Sequence, residues 1–259
     1  MRRVAVPPTP LEAIPEERTP HGTLRRAIVD VPDGPRTLLL TFPAGMRHRY
    51  ADQGFEYHTA HEEIFLLDGY LKFGDWYDWR PLGYINHPPF WVHPADQKTD
   101  VGATMLVKYD GVMDFGFEPI PDGWDGQEYV AAAATHRSPV PGVSNATVND
   151  IPWEPVFLPG DRAMGFDAKR LSDDPESGWT TWLMRAPAGW RTEGGRVRVG
   201  GEEIFLLEGD LTIDGVGSLE GRGYYCDPER TITGKSSEQG CLAIRWTQGG
   251  DYLLPPIRF

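Results

Sequence analysis

Residues 56–69 read EYHTAHEEIFLLDG, and residues 196–209, displaced by 140 positions, read RVRVGGEEIFLLEG. The shared EEIFLL followed by an acid and a glycine shows one folding unit written twice. Alternation along a strand puts Glu62, Ile64 and Leu66 on one face and Glu63, Phe65 and Leu67 on the other. One glutamate is therefore expected to point inward beside isoleucine, which is costly for a carboxylate unless it is paired or bound to a metal. The first copy crowds candidate ligands around that strand, with Glu56, His58, His61, Glu62 and Glu63 inside eight residues. In the second copy the imidazoles are gone, and all seven histidines of the chain lie at or before residue 136.

The repeat extends beyond one strand. PAGMR at 43–47 matches PAGWR at 187–191, and Tyr84 and Pro88 match Tyr224 and Pro228 at the same offset of 140. Pro43 lies 19 residues before Glu62 but Pro187 only 15 before Glu202, so the first copy carries about four extra residues, within RHRYADQGFEY, beside the ligand cluster. His93 falls opposite Thr233.

The 30 glycines and 24 prolines are well above ordinary usage and punctuate short runs of Ile, Leu, Val, Phe, Tyr and Trp, a pattern of many short strands and turns. The expected fold class is all-β. A net charge of −13 argues against nucleic acid or an anionic lipid surface as a partner. The two cysteines, Cys226 and Cys241, form no disulfide framework or zinc knuckle, which points to a reducing cytoplasm. No apolar run has signal-peptide or membrane-spanning length. The expected boundaries are a Pro-rich arm over 1–22, a first domain over 23–110, a connector over 111–150 and a second domain over 151–259. Within them, TLRRAIVDV and RTLLLTFPAG read as strands, YVAAAA as a helical turn, and the terminal DYLLPPIRF as an edge strand. The aromatic stretch 74–84, GDWYDWRPLGY, reads either as a pocket wall over the ligand cluster or as a hairpin covering the interface between the domains.

Taken together, these motifs resemble the cupin superfamily, small β-barrels whose first motif is HxHxxxE, then six residues and a glycine, and whose second motif supplies a late histidine. Here Glu62 is followed by six residues and Gly69. The second copy, with WEP at 153–155 and Gly240-Cys241, is similar to ChrR-type anti-sigma cupins and related bicupin dioxygenases. The resemblance implies two tandem jelly-roll (double-stranded β-helix) barrels, a bicupin. By position it makes His58, Glu62 and His93 metal ligands and places Glu56 where the family has its first histidine. The fourth ligand is then Glu56, His61 or water, with His61 alternatively a catalytic base. In the second copy Arg196, Arg198 and Thr233 take the three histidine positions, so an ion pair of the arginines with Glu202 is expected there instead of a metal. His87 reads as a support to the ligands or a structural histidine, and His48 as solvent-facing.

A mixed imidazole–carboxylate site suits Fe(II), and also Mn, Ni or Zn. The resemblance thus implies one divalent metal per chain and a dioxygenase acting with O2 on a small enol, diketone or phenolic substrate. The alternatives are a metal-assisted isomerase, lyase or hydrolase, or a non-enzymic sensor. The fused barrels would supply internally, face to face, the contact that single cupins make by pairing; a homodimer remains a further level of assembly.

Overall fold

The computed structural model describes the chain except for residues 1–4, 21, 49–50, 74–76, 120–121, 123–128, 132–142, 159, 161, 175–177, 193–199, 228–233 and 250–259. The C-terminal stretch, His21, His136, Arg196, Arg198 and Thr233 lie outside the described residues. Those described form strands and three short 3-10 turns, without an α-helix. No helix among them is long and apolar enough to cross a membrane.

Two compact units divide the chain, Pro15–Val148 on one side and Arg2–Ile14 with Asn149–Phe259 on the other. In the first unit a seven-stranded antiparallel sheet runs, by strand, in the order 143–147, 83–87, 62–69, 103–109, 36–42, 24–30 and 16–18. Two four-stranded sheets accompany it, one ordered 115–118, 55–58, 91–94 and 129–130, the other 46–47, 97–99, 71–73 and 77–79. Ile64 and Leu66 face a core with Phe42, Ile85, Met105 and Val107. Fully burying such a side chain contributes about 1.5–3 kcal/mol.

The repeat is visible in the hydrogen-bond register. Tyr84 pairs with Phe65 and Tyr224 with Phe205, while Met105 pairs with Leu66 and Ala243 with Leu206. Both copies also skip one residue at the same place, Leu67 and Leu207. Contrary to the simple alternation, neither glutamate of the first pair is solvated, because both faces of the 62–69 strand are covered: Glu62 and Glu63 are both buried. The Tyr84 hydroxyl donates to Glu63 Oε1 at 2.6 Å, and Tyr224 donates to Glu203 Oε2 at 2.8 Å.

Gly69 and Gly209 close the repeated strand in the left-handed region, at φ 84° and 81°. A Cβ on Gly69 would lie 2.1 Å from the Gly102 carbonyl oxygen, and one on Gly209 would lie 1.8 Å from that of Gly240. Gly69→Ala should therefore destabilise the first unit by at least about 2 kcal/mol in chemical denaturation, since strain and a backbone clash add. A cost below about 0.5 kcal/mol would contradict this geometry.

The connector is not an idle tether. Its strands Phe115–Glu118, Tyr129–Val130 and Val143–Thr147 pair with Phe55–His58, Trp91–Pro94 and Gly83–His87 of the first unit. Where a helical turn is expected at YVAAAA, Tyr129–Val130 form a strand paired with Trp91–Val92, and residues 132–134 lie outside the described residues. In the aromatic stretch, Trp79 is a core residue against Phe73, and Tyr84 binds Glu63 on the opposite face.

The amino-terminal arm belongs to the second unit. Val6–Pro10 pairs along Gly223–Asp227, and Leu11 and Ile14 are buried. A fragment of residues 151–259 lacks that cover and exposes a strand edge that pairs readily with other chains. It should aggregate on expression, and adding residues 2–14 as a peptide should restore solubility; a monodisperse, soluble fragment would contradict this role for the arm.

Candidate metal centre

Four strands, two from each of two sheets, deliver the ligand cluster. Glu56 and His58 stand on the inward face of Phe55–His58, whose outward residues Phe55 and Tyr57 pack with Val92, Phe90 and Ala131. His93 lies opposite Glu56 in the next strand. Glu62, on the inward face with Ile64 and Leu66, has His87 opposite it on one side and Tyr109 on the other. Glu56, His58, Glu62, His87 and His93 are all at most 4% exposed.

Possible ligand atoms of Glu56, His58 and His93 lie within 4.8 Å of one another, and so do those of Glu62, His87 and His93, so His93 joins two overlapping triads. His58 Nε2 is 3.2 Å from His93 Nε2 and 3.4 Å from Glu62 Oε2. His87 Nδ1 lies 3.4 Å from Glu62 Oε2, and His93 Nδ1 lies 4.0 Å from Glu56 Oε1. Two donors each about 2.1 Å from one ion, at right angles, are about 3.0 Å apart, so the shorter of these spacings suit cis ligands of a single cation.

Burial pushes His58 down to about 4, with Glu62 opposing, and takes His87 and His93 well below the ordinary imidazole range. These rings are therefore neutral, the form that binds metals. The same burial raises the Glu62 carboxyl, with His58 and the Tyr109 hydroxyl only partly offsetting it. Three neutral imidazoles and two carboxylates, buried together at these spacings, are a donor set suited to a divalent cation; the residues fit a metal.

The other candidates fall around this cluster. His61 is half-buried on the turn, its backbone N–H donating to Asp110 Oδ1 at 2.9 Å and its Nε2 against Asn86 Oδ1. Its ring is thereby tied to Asn86, and it is in neither triad. His48, expected in solvent, is half-buried, close enough to act electrostatically on His58 and His93, and its backbone N–H donates to the Gln97 carbonyl at 2.7 Å. His87 is brought closer to the cluster than a supporting role requires, and the signal that locates it is its register opposite Glu62. Gln97 and Tyr109 carried no readable signal; the first donates to Glu56 Oε1 at 3.3 Å and the second binds Glu62.

The second unit answers the same buried carboxylate differently. Glu202 is fully buried, with Lys235 Nζ 3.1 Å from Oε2 and the Arg245 guanidinium on Oε1. In register, Lys235 opposite Ile213 matches Gln97 opposite Phe73, and Arg245 opposite Ile204 matches Val107 opposite Ile64. Among the described residues, the ion-pair partners of Glu202 thus come from later strands; the expected partners Arg196 and Arg198 lie outside the described residues. Arg245 also lies over the Trp182 ring, 4.3 Å from its centroid.

No family model matches the chain, and no curated protein matches it in sequence. Solved structures match it in fold. A candidate dioxygenase from Nostoc punctiforme superposes with a TM-score of 0.68 at 16% identity, over 99% of this chain and 84% of that one. Oxalate decarboxylase from Bacillus subtilis gives 0.59 at 11% identity, over 95% and 76%. Salicylate 1,2-dioxygenase from Pseudaminobacter salicylatoxidans gives 0.56 at 12% identity, over 83% and 71%. These neighbours have the cupin fold, and at such identities the likeness is one of fold alone.

Proposed function

We propose that the chain is a two-barrel cupin holding one divalent metal in its first barrel, Fe(II) by preference, and acting as a dioxygenase on a small enol, diketone or phenolic compound. The observation that carries this reading is the buried cluster of three neutral imidazoles and two carboxylates at cis-ligand spacing. The names of two fold neighbours, both dioxygenases, agree with it. When bound, the metal would supply Lewis acidity and, as iron, one-electron chemistry with O2. His58, Glu62 and His93 would hold it, with Glu56 or His87 completing the set. Tyr109 holds the Glu62 carboxylate in place through its hydroxyl, and Gln97 does the same for Glu56. The apolar residues behind the ligand strands exclude water from the far side.

The number of residues that bind decides between this reading and the next. If all five candidates ligate, no two adjacent positions stay open for O2 and substrate. Polarisation of a carbonyl in a lyase, isomerase or hydrolase then becomes the better account. The test is anaerobic Fe(II) loading followed by nitric oxide and an oxygen electrode. A nitric-oxide EPR signal perturbed by a chelating diketone, with oxygen uptake, is expected. A site that holds only zinc, ignores nitric oxide and consumes no oxygen would defeat the dioxygenase reading.

A further inference from the structure

Four large apolar side chains are well exposed among the described residues, and the two aromatic ones, Phe115 at 39% and Phe117 at 38%, sit on one strand. That strand, Phe115–Glu118, is the edge of the sheet that carries the ligands, with Phe115 opposite His58 and Phe117 opposite Glu56. Cross-strand partners share a face, so both rings lie on the inward face with Glu56, His58 and His93. Gly116 between them points the other way, where the Tyr57 ring lies so close that a Cβ would meet it at 2.0 Å. The Phe115 ring meets His58 edge-on, centroids 4.8 Å apart at 88°. Across one strand spacing, about 4.8 Å, the inward face therefore passes from ligands at most 4% exposed to aromatics more than a third exposed.

We infer that Phe115 and Phe117 form the mouth of the metal site and select a planar, conjugated or aromatic chelator, its oxygen donors toward the ligand cluster and its ring against the two phenylalanines. The inference rests on the metal reading above and assigns the part of the substrate that does not touch the metal. Small aliphatic chelators fit the donors equally well but do not reach the exposed parts of the two rings. Offset or edge-to-face contact with two rings, together with the area it buries, favours the aromatic molecule by about tenfold.

Two β-diketones with the same donor set separate these contributions: acetylacetone, and benzoylacetone, which adds one phenyl group. Calorimetric titration of the Zn-loaded full chain should give benzoylacetone at least about tenfold tighter binding, beyond the difference the two show toward free zinc. Phe117→Ala and Phe115→Ala should each shrink that preference, and the double variant should abolish it, with metal content and acetylacetone affinity unchanged. Both side chains are partly exposed, so folding should survive, and Phe117→Leu should retain an intermediate preference. Metal present with equal affinities in the wild type, or a preference untouched in the double variant, overturns this inference alone. Absence of metal by elemental analysis overturns the metal reading and this inference with it. If the rings are instead a contact between copies of this chain, Phe117→Asp will change the sedimentation of the protein while the benzoylacetone preference stays, and the inference is again overturned.

Discussion

Elemental analysis of the purified protein should return one divalent metal per chain, and His93→Ala should abolish it. His93 belongs to both triads, whereas each other candidate belongs to one, so its loss dismantles the site from both sides. Losing a residue that merely supports a ligand costs metal affinity about 10- to 100-fold, and losing this ligand should exceed that range. His58→Ala should follow closely. Glu56→Ala should weaken retention, whereas His61→Ala should leave metal content near the wild-type value because its ring is tied to Asn86. Circular dichroism should show the strands intact in each variant, since the hydrophobic cluster behind the ligands remains. Two metals per chain, or none after anaerobic Fe(II) or Mn(II) loading, would defeat the assignment.

The second large effect belongs to the unit without histidines. Glu202→Ala strands the buried charges of Arg245 and Lys235, 0% and 4% exposed, and removing one partner of a buried ion pair costs about 3–5 kcal/mol. Urea denaturation should read that loss, and chelators should not alter it, because this carboxylate is compensated by side chains rather than by a metal. Replacing all three residues by apolar ones of similar volume should be close to neutral. Acid should act through the same group. Burial raises the Glu202 carboxyl, but Arg245 and then Lys235 outweigh it and leave the group below its ordinary 4.5. With the folded value depressed, its contribution is complete above that ordinary value and fades as pH falls through the lowered one. Glu202→Gln should remove this acid dependence, and a cost under about 1 kcal/mol for Glu202→Ala would show that the triad is not an ion cluster of consequence.

Much of this was legible along the chain because the repeated motif has fixed strand periodicity. EEIFLL occurring twice placed Ile64 and Ile204 in equivalent cores, Tyr84 and Tyr224 on equivalent glutamates, and Gly69 and Gly209 at equivalent left-handed turns. Alternation and spacing also brought Glu56, His58, Glu62 and His93 forward as one group, since three of them are near neighbours in sequence. The sequence by itself thus determined the duplicated all-β strand pattern and gathered the His and Glu candidates in the first copy. Only the tertiary structure decided what lies opposite each carboxylate: His87 and Tyr109 across from Glu62, Gln97 on Glu56, and Arg245 with Lys235 on Glu202. It also decided that the Val6–Pro10 arm serves the second unit and that Phe115 stands against His58. The physical reason is that these contacts are set by register between residues far apart in sequence, from His87 against Glu62 to Val6 against Cys226, and register is fixed by hydrogen bonding and burial across the sheet rather than by local pattern.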